Sequence, residues 1–181
     1  MEDKITLRWF DDMHCHFRSD SLLEEVLPFT ARYSGRGVAM PNLRPRAILN
    51  GDDVWWYRDQ IERVLDRMAN RTSFKPLMTI EIRDNTTPKM IAEAIRAGAV
   101  AGKVYPLGVT TNSDEGLHDF WSPGITETFR AMQSTGMLLP LHGELNLERT
   151  LVTERENVFL PTLIKLADEF PDLKIVLEHI S

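Results

Sequence analysis

Residues 11–18 read DDMHCHFR and place His14, His16 and Arg18 at every second position at the end of an apolar run. On a β-strand, side chains two residues apart leave the same face, so both imidazoles would point one way and Cys15 the other. A neutral imidazole is a common metal ligand, and two of them on one strand can hold one ion. The alternative interpretation of these residues is a pair of surface or structural histidines.

Short apolar runs alternate along the chain with stretches of helical periodicity. Several of these runs are continuously apolar, as strands buried on both faces should be. The six candidate strands are LRWFDDMHCH (7–16), RGVAMPN (36–42), FKPLMTIEI (74–82), AGKVYP (101–106), GMLLPLHGE (136–144) and LKIVLEHIS (173–181). Strands that alternate with helices predict a parallel sheet with helical crossovers. The charged run EIRDNTTPK (81–89) is interpreted as a solvated rim followed by a helix start.

The histidine positions decide between an open doubly wound sheet and a (β/α)8 barrel. His142 and His179, like His14 and His16, lie at the ends of predicted strands, whereas His118 lies in a loop and is expected to be exposed. The carboxyl ends of barrel strands open on one rim, whereas an open sheet would spread the same residues apart. We therefore predict an α/β fold, a (β/α)8 TIM barrel in which about six of the eight β/α units are present.

Lys103 lies within the apolar strand AGKVYP, whose neighbours leave little room for a charged group. One interpretation is a lysine that extends to the rim or forms an ion pair. The other is a buried amine whose pKa is lowered by desolvation, which makes it nucleophilic. Such an amine can take up carbon dioxide as a carbamate and bridge two divalent ions. Spacing alone leaves both interpretations open.

Composition limits the classes of function. The chain has 181 residues and one cysteine. Its formal net charge is −6, so neither a nucleic-acid partner nor an anionic membrane surface is indicated. A single cysteine forms no internal disulfide, which is typical of a reducing compartment. The N-terminal residues MEDKITLRWF lack the apolar segment of a secretory signal. We expect a cytoplasmic protein that forms a single domain over residues 1–181.

Five short motifs follow one another along the chain: HCHFR (14–18), MPN (40–42), KVYP (103–106), HGE (142–144) and EHI (178–180). In this order they resemble the amidohydrolase superfamily, whose members are metal-dependent hydrolases with a barrel fold. The segment KVYPLGVTTNSDEG (103–116) is similar to the fourth-strand lysine and mobile loop of the shorter bacterial class of dihydroorotases. HxH alone is shared across the superfamily, while MPN followed by TTNS is much more specific. The resemblance covers the whole chain as the N-terminal portion of that family.

The resemblance implies a metal centre with two zinc ions. His14 and His16 would hold the more buried zinc, and His142 and His179 the second. Lys103, carboxylated on its amine, would bridge the two ions. Zinc, cobalt and manganese all accept such a ligand set.

The resemblance also implies a small-molecule substrate and a homodimer. Arg18 and Asn42 would bind the substrate carboxylate, while Thr110 and Thr111 in the loop after the fourth strand would hydrogen-bond the substrate and exclude water. The implied reaction is the reversible cyclisation of N-carbamoyl-L-aspartate to L-dihydroorotate in pyrimidine biosynthesis.

One expected residue is absent from the sequence. In this family an aspartate at the end of strand eight carries the proton, and no aspartate of this chain takes that place, so the sequence assigns no catalytic residue. We expect a fragment, truncated after the sixth strand and weakly active or inactive by itself. The alternatives are another cyclic-amide hydrolase, such as a hydantoinase or allantoinase, and an inactive homologue that acts as an assembly partner.

Overall fold

The structure is a computed structural model that describes residues 5–68, 73–147 and 150–180. Strands and helices alternate as the sequence predicts, and the last residue of the sixth predicted strand, Ser181, lies outside the described residues. The elements are β1 (Phe10–Cys15), α1 (Asp20–Ala31), β2 (Ser34–Ala39), α2 (Gly51–Arg67), β3 (Lys75–Ile82), α3 (Pro88–Arg96), β4 (Ala99–Val104), α4 (Pro123–Thr135), β5 (Leu139–His142), α5 (Arg155–Glu169) and β6 (Ile175–Glu178).

The six strands form one parallel sheet in the order β1-β2-β3-β4-β5-β6. A doubly wound sheet reverses its strand order at a switch point, whereas a barrel adds each strand beside the preceding one. The sheet is therefore a half-barrel covered by helices, and the predicted incomplete TIM barrel is confirmed. Its register places Glu81 opposite Lys103 and His142 opposite Glu178, so these side chains emerge at matching heights.

Local sequence signals begin and end the helices. The Asn50 side chain accepts hydrogen bonds from the backbone N–H groups of Asp52 and Asp53 at the start of α2. Thr87 caps α3 in the same way, as its hydroxyl accepts from the N–H of Met90. Gly136 ends α4 with φ at 70°, a left-handed conformation that glycine adopts without steric cost.

The hydrophobic core lies between the sheet and the helices. Tyr57 and Ile61 of α2 and Phe129 of α4 are fully buried, and burial of a large apolar side chain contributes about 1.5–3 kcal/mol. Near the edges of the sheet, by contrast, Phe10 of β1 and Val176 of β6 are exposed. The core thus fixes the strands, and with them the positions of the side chains at their carboxyl ends.

None of the helices in the part of the chain that the structure describes is both long enough and apolar enough to span a lipid bilayer.

Candidate metal centre

Four of the five histidines meet at the carboxyl ends of the strands. The Nε2 atoms of His14 and His16 lie 3.1 Å apart. The ring of His179 lies 5.1 Å from that of His14 and 4.5 Å from that of His142, measured between centroids. His118 is exposed in the loop between β4 and α4, as predicted, and its backbone N–H donates to the Asp84 carboxylate.

The strand geometry of the HxH segment accounts for this arrangement. Cys15 leaves β1 on the opposite face from the two histidines and is buried in the core, where burial raises the pKa of its thiol. The Asp12 carboxylate accepts a hydrogen bond of 3.1 Å from the backbone N–H of His14 and so holds the strand end rather than the imidazole. His14 and His16 are half-buried, and their Nε2 atoms face each other.

Lys103 is completely buried at the end of β4. Burial lowers the pKa of its amine, although the Glu178 carboxylate in contact with Nζ opposes that effect. Nζ also lies 5.2 Å from the centroid of the Tyr105 ring. The structure therefore pairs Lys103 with a carboxylate in the interior, and it places the amine in the same cluster as the histidines.

Glu178 belongs to this cluster, and the sequence interpretation missed it. Its Oε2 atom lies 3.2 Å from Nδ1 of His14 as well as in contact with Lys103. Burial by itself would raise the pKa of this carboxyl, but the contact with His14 and the charge of Lys103 together lower it. Strand alternation would place Glu178 and His179 on opposite faces. His179 instead adopts φ at 39° just after β6, which ends the alternation and brings both side chains to one centre.

Burial favours the neutral form of three imidazoles of the cluster, those of His16, His142 and His179. Burial lowers the pKa of His16 to about 4, assisted by the charge of Arg18, and burial lowers that of His142 to about 4, assisted by His179. Burial also lowers the pKa of His179. A neutral imidazole has a lone pair available for a metal ion. His16, His142 and His179 are therefore available as neutral ligands at physiological pH.

Two ring nitrogens of the cluster, Nδ1 of His14 and Nε2 of His142, are buried and have no hydrogen-bond partner among the residues that the structure describes. Each lies near a carboxylate, Glu178 at 3.2 Å and Glu144 at 3.0 Å, but neither contact is aligned as a hydrogen bond. Buried polar atoms are normally paired, so these nitrogens indicate a ligand. The 3.1 Å between the Nε2 atoms of His14 and His16 also agrees with two nitrogens on one zinc, which stand about 3.3 Å apart in a tetrahedral site.

The candidate substrate residues lie beside this centre. A cleft of about 450 Å³ is lined by Arg18, Arg44, Thr111 and Asn112, among others. Asn42 is buried next to it and donates through Nδ2 to the backbone carbonyl of Thr111, 3.2 Å away. This bond holds the loop after β4 against the loop after β2.

Two polar side-chain atoms beside the cleft are buried and unpaired within the described chain. Nη1 of Arg18 and Oδ1 of Asn42 are buried, and neither has a hydrogen-bond partner there. Thr110 is half-buried, and its backbone N–H donates a hydrogen bond to the Ser113 hydroxyl. Thr111 is exposed. The structure thus brings Arg18 and Thr111 to one cleft, and the buried Asn42 is hydrogen-bonded to Thr111 beside it.

A second buried charge pair lies on β3. The Glu81 carboxylate is fully buried and accepts a 2.8 Å hydrogen bond from Nε of Arg83, which also contacts Glu115. Burial raises the pKa of Glu81, while Arg83 opposes the rise. The prediction of a solvated rim over residues 81–89 is therefore wrong for Glu81. The predicted helix start at the end of that run is correct, since α3 begins at Pro88.

A parallel half-barrel with imidazoles and a buried lysine at its strand ends defines an incomplete TIM barrel of the metal-dependent hydrolase type. No protein-family model matches the chain. The chain is 42% identical to the dihydroorotase of Acidovorax sp. (strain JS42) over an alignment of 180 residues. This alignment covers 99% of this chain and 50% of that protein. The chain spans about half the length of the curated relatives it matches.

Solved structures agree with this result. The crystal structure of dihydroorotase from Campylobacter jejuni superposes with a TM-score of 0.84 at 36% identity, covering 94% of this chain and 48% of that one. The crystal structure of dihydroorotase from Saccharomyces cerevisiae in complex with 5-fluoroorotic acid superposes with a TM-score of 0.82 at 36% identity. The superposition covers 95% of this chain and 48% of that one. The chain is therefore related to the dihydroorotases over nearly its whole length, which confirms the resemblance. These relatives do not favour the hydantoinase or allantoinase alternative.

Proposed function

We propose that this chain carries the metal-binding part of a dihydroorotase, which catalyses the reversible cyclisation of N-carbamoyl-L-aspartate to L-dihydroorotate. The observation that carries the proposal is the convergence of His14, His16, His142 and His179 on the buried Lys103 at one end of the half-barrel. The names of the relatives supply the reaction. The metal centre is assigned to zinc, with His14 and His16 on one ion and His142 and His179 on the other.

The donor set fits such a pair of ions. Neutral imidazoles from three strands face one another, and two of their buried nitrogens have no hydrogen-bond partner among the described residues. Divalent ions held there would supply a Lewis acid for the substrate carbonyl and would lower the pKa of water.

Lys103 is assigned as the bridge after carboxylation of its amine. The nitrogen lone pair of the neutral amine forms a bond to the carbon of carbon dioxide, one C–O π bond opens to a carboxylate, and one proton leaves the nitrogen. Burial favours this reaction because it lowers the pKa of Lys103 and so increases the neutral fraction of the amine. The product is an anion where the unmodified residue is a cation.

The substrate is assigned to the cleft beside the cluster. The guanidinium of Arg18 and the amide of Asn42 would bind the substrate carboxylate through polar atoms that are buried and unpaired in the described chain. Thr110 and Thr111 would hydrogen-bond the substrate from the loop that Asn42 anchors. The loop would also exclude water from the reacting bond. The proton transfer itself is assigned to no residue of this chain.

The remaining assignments rest on the family alone. We propose that the protein acts in the cytoplasm, in de novo pyrimidine biosynthesis, and forms a homodimer. Analytical ultracentrifugation of the purified protein tests the dimer, which a single monomeric species at micromolar concentration would contradict.

Metal content and ligand binding test the proposed function directly. The 181-residue chain, verified by intact mass, should bind a pair of zinc ions and should bind L-dihydroorotate in preference to hydantoin in calorimetric titrations. A chain that binds neither zinc nor dihydroorotate would contradict the proposal. Turnover of dihydroorotate measured on the same sample tests the expectation that this chain alone is weakly active or inactive, which full activity would contradict.

Carboxylation of Lys103 has its own readout. Protein equilibrated with zinc and ¹³C-labelled bicarbonate should show a carbamate carbon signal in its NMR spectrum. The signal should be absent from the spectrum of the Lys103→Ala variant. It should be present in the spectrum of the control variant Lys165→Ala, which replaces a lysine on helix α5. A wild-type spectrum without the signal would contradict the bridge.

A further inference from the structure

Hydrogen bonds join the tip of the loop after β4, residues 108–113, to the loop after β2. One is the bond from Asn42 to the backbone carbonyl of Thr111. In a second, Nδ2 of Asn112 donates to the backbone carbonyl of Asn42 over 3.0 Å. In a third, Nη2 of Arg44 donates to the backbone carbonyl of Asn112 over 2.7 Å. We propose that Arg44 is a positioning residue, which holds the tip of the loop beside the cleft in the absence of substrate.

Arg44 supplies the charged donor among these bonds. Hydrogen bonds from charged donors are roughly twice as strong as those between neutral groups. Nη1 of the same guanidinium donates to the backbone carbonyl of Leu43 over 3.1 Å, which fixes the guanidinium against its own loop while Nη2 reaches the other loop. Arg44 and Asn112 are both half-buried, so water competes less for this bond than for one on the open surface.

Asn112 is suited to be held in this way. Its φ is 62°, a left-handed conformation in which asparagine is enriched among residues other than glycine. In that conformation its side chain reaches the carbonyl of Asn42 while its own carbonyl accepts from Arg44. At the start of the tip, Nδ2 of Asn146 donates to the carbonyl of Gly108 over 3.3 Å, a longer bond between neutral groups. The position of the tip therefore depends mainly on the contact with Arg44.

The base of the same loop is held by other contacts. The N–H of Leu107 donates to the carbonyl of Leu117 over 3.0 Å, and the N–H of Leu117 donates to the carbonyl of Tyr105 over 2.8 Å. Neither bond involves Arg44. Removal of the guanidinium should therefore loosen the tip and leave the base in place.

A tip that is held in advance favours binding of the substrate. Arg44, Thr111 and Asn112 line the same cleft as Arg18. Because the loop is ordered before binding, the complex does not bear the entropy cost of ordering it. The inference rests on the proposed function, which assigns Thr110 and Thr111 to the substrate. The competing explanation makes Arg44 a second cation that attracts the substrate carboxylate and has no effect on the loop.

Hydrogen exchange of the ligand-free 181-residue chain, resolved for single amides by NMR, distinguishes the two explanations. The amides of Gly108 and Ser113 donate to carbonyls within the tip, so their exchange reports its opening. Arg44→Met keeps the aliphatic stem and removes the guanidinium. It should accelerate exchange of these amides by about 10-fold or more, the factor that a bond from a charged donor represents in an opening equilibrium. The amides of Leu107 and Leu117 at the base should exchange as in the wild type.

The matched control is Arg63→Met, on an exposed side chain of α2 that pairs with Asp59, which should exchange as the wild type does throughout the loop. Circular dichroism and the thermal midpoint establish that each variant is folded. If Arg44→Met does not fold, Asn112→Gly takes its place, since glycine keeps the left-handed conformation and the carbonyl but removes the Nδ2 donor. Loss of that neutral bond should accelerate exchange at the tip by about 2- to 10-fold.

Binding of L-dihydroorotate to the zinc-loaded proteins, measured by calorimetry, completes the test. Arg44→Met should bind about 10-fold more weakly than the wild type, with unchanged zinc content. Arg44→Lys keeps the charge and loses the planar fork. If Arg44 acts by charge alone, Arg44→Lys binds as the wild type does; if it holds the loop, Arg44→Lys shows both weaker binding and faster exchange at the tip.

Wild-type exchange at the tip of folded Arg44→Met, or of Asn112→Gly in its place, would overturn the inference. Faster exchange with unchanged affinity for dihydroorotate would also overturn it, because the tip would then not position the substrate contacts. A wild-type chain that binds no dihydroorotate would instead overturn the proposed function, and the exchange rates would still decide whether Arg44 holds the loop.

Discussion

His14 and His179 stand edge to face, with ring centroids 5.1 Å apart and ring planes at 81°, although they belong to opposite edges of the sheet. Four strands separate β1 from β6, and neighbouring strands lie about 4.8 Å apart, so a flat sheet would hold these rings more than about 20 Å apart. The contact therefore measures the curvature of the half-barrel. A metal centre that includes both residues depends on that curvature as much as on the side chains themselves.

Replacement of His14 should separate ligand loss from general damage. His14→Ala removes the imidazole that contacts both His16 and His179, so we expect the bound zinc to fall by at least half. Because His14 is half-buried at a strand end, the free energy of unfolding of the metal-free chain should change by less than about 1.5 kcal/mol.

Atomic emission and chemical denaturation of one preparation measure the two quantities. The matched control is His118→Ala, an exposed histidine outside the cluster, which should keep the wild-type zinc content. Equal zinc content in both variants would remove His14 from the metal centre.

Much of this centre follows from period-two alternation and strand order. The alternation in HCH predicts that His14 and His16 share a face and that Cys15 enters the core, and the structure has both features. The strand-end positions of His142 and His179 predict a common rim because all parallel strands point the same way. Motifs near strand ends are therefore readable without coordinates.

The remaining features depend on tertiary contacts that no local pattern encodes. Glu178 joins the cluster because the backbone leaves the extended conformation at His179. Glu81 lies between Ile80 and Ile82, and it is buried because β3 lies inside the sheet, with Arg83 available as its partner. The bond between Asn42 and Thr111 joins residues 69 positions apart. Each case requires the curvature of the sheet or the packing of a loop, and a one-dimensional pattern contains neither.

Glu81 should give the protein an unusual dependence of stability on pH. Burial raises the pKa of this carboxyl above its ordinary value of 4.5, so the folded chain binds the proton more tightly than the unfolded chain does. The contribution of Glu81 is therefore most favourable below pH 4.5 and is lost as the pH rises through the raised pKa. As the pH increases through that interval, the free energy of unfolding of the wild type should fall relative to that of Glu81→Gln, so that the two curves of stability against pH approach or cross each other.

The opposite sign is expected at Asp11. The hydrogen bond from Arg36 lowers the pKa of that carboxyl below 3.8, so its contribution is present at higher pH and is lost on acidification. Urea unfolding of wild type, Glu81→Gln and Asp11→Asn across a pH series measures both trends. A wild-type advantage over Glu81→Gln that grows with pH would show that Arg83 outweighs burial.

Gly116 closes the loop that carries the proposed substrate contacts. A Cβ atom at this position would clash with the backbone carbonyl oxygen of Tyr105 and would lie 3.0 Å from that of Ser113. Backbone atoms do not move aside as a flexible side chain does, so Gly116→Ala should lower the free energy of unfolding by about 2–3 kcal/mol. At Gly124, by contrast, a Cβ atom meets nothing within 4 Å, and Gly124→Ala should be neutral or stabilising by up to about 1 kcal/mol. Guanidinium titrations compare the two, and equal stabilities would mean that the loop relaxes freely.

Arg18 provides the most direct test of the substrate cleft. Its Nη1 atom is buried without a partner in the described chain, and an unpaired buried donor indicates a bound anion. A hydrogen bond to a charged group contributes about 1.5–3 kcal/mol, so Arg18→Gln should weaken L-dihydroorotate binding by about 10- to 100-fold. Arg32→Gln, on an exposed side chain at the end of α1, should leave the dissociation constant unchanged. Calorimetric titration of the zinc-loaded proteins decides the matter, because wild-type affinity in Arg18→Gln would place the substrate carboxylate elsewhere.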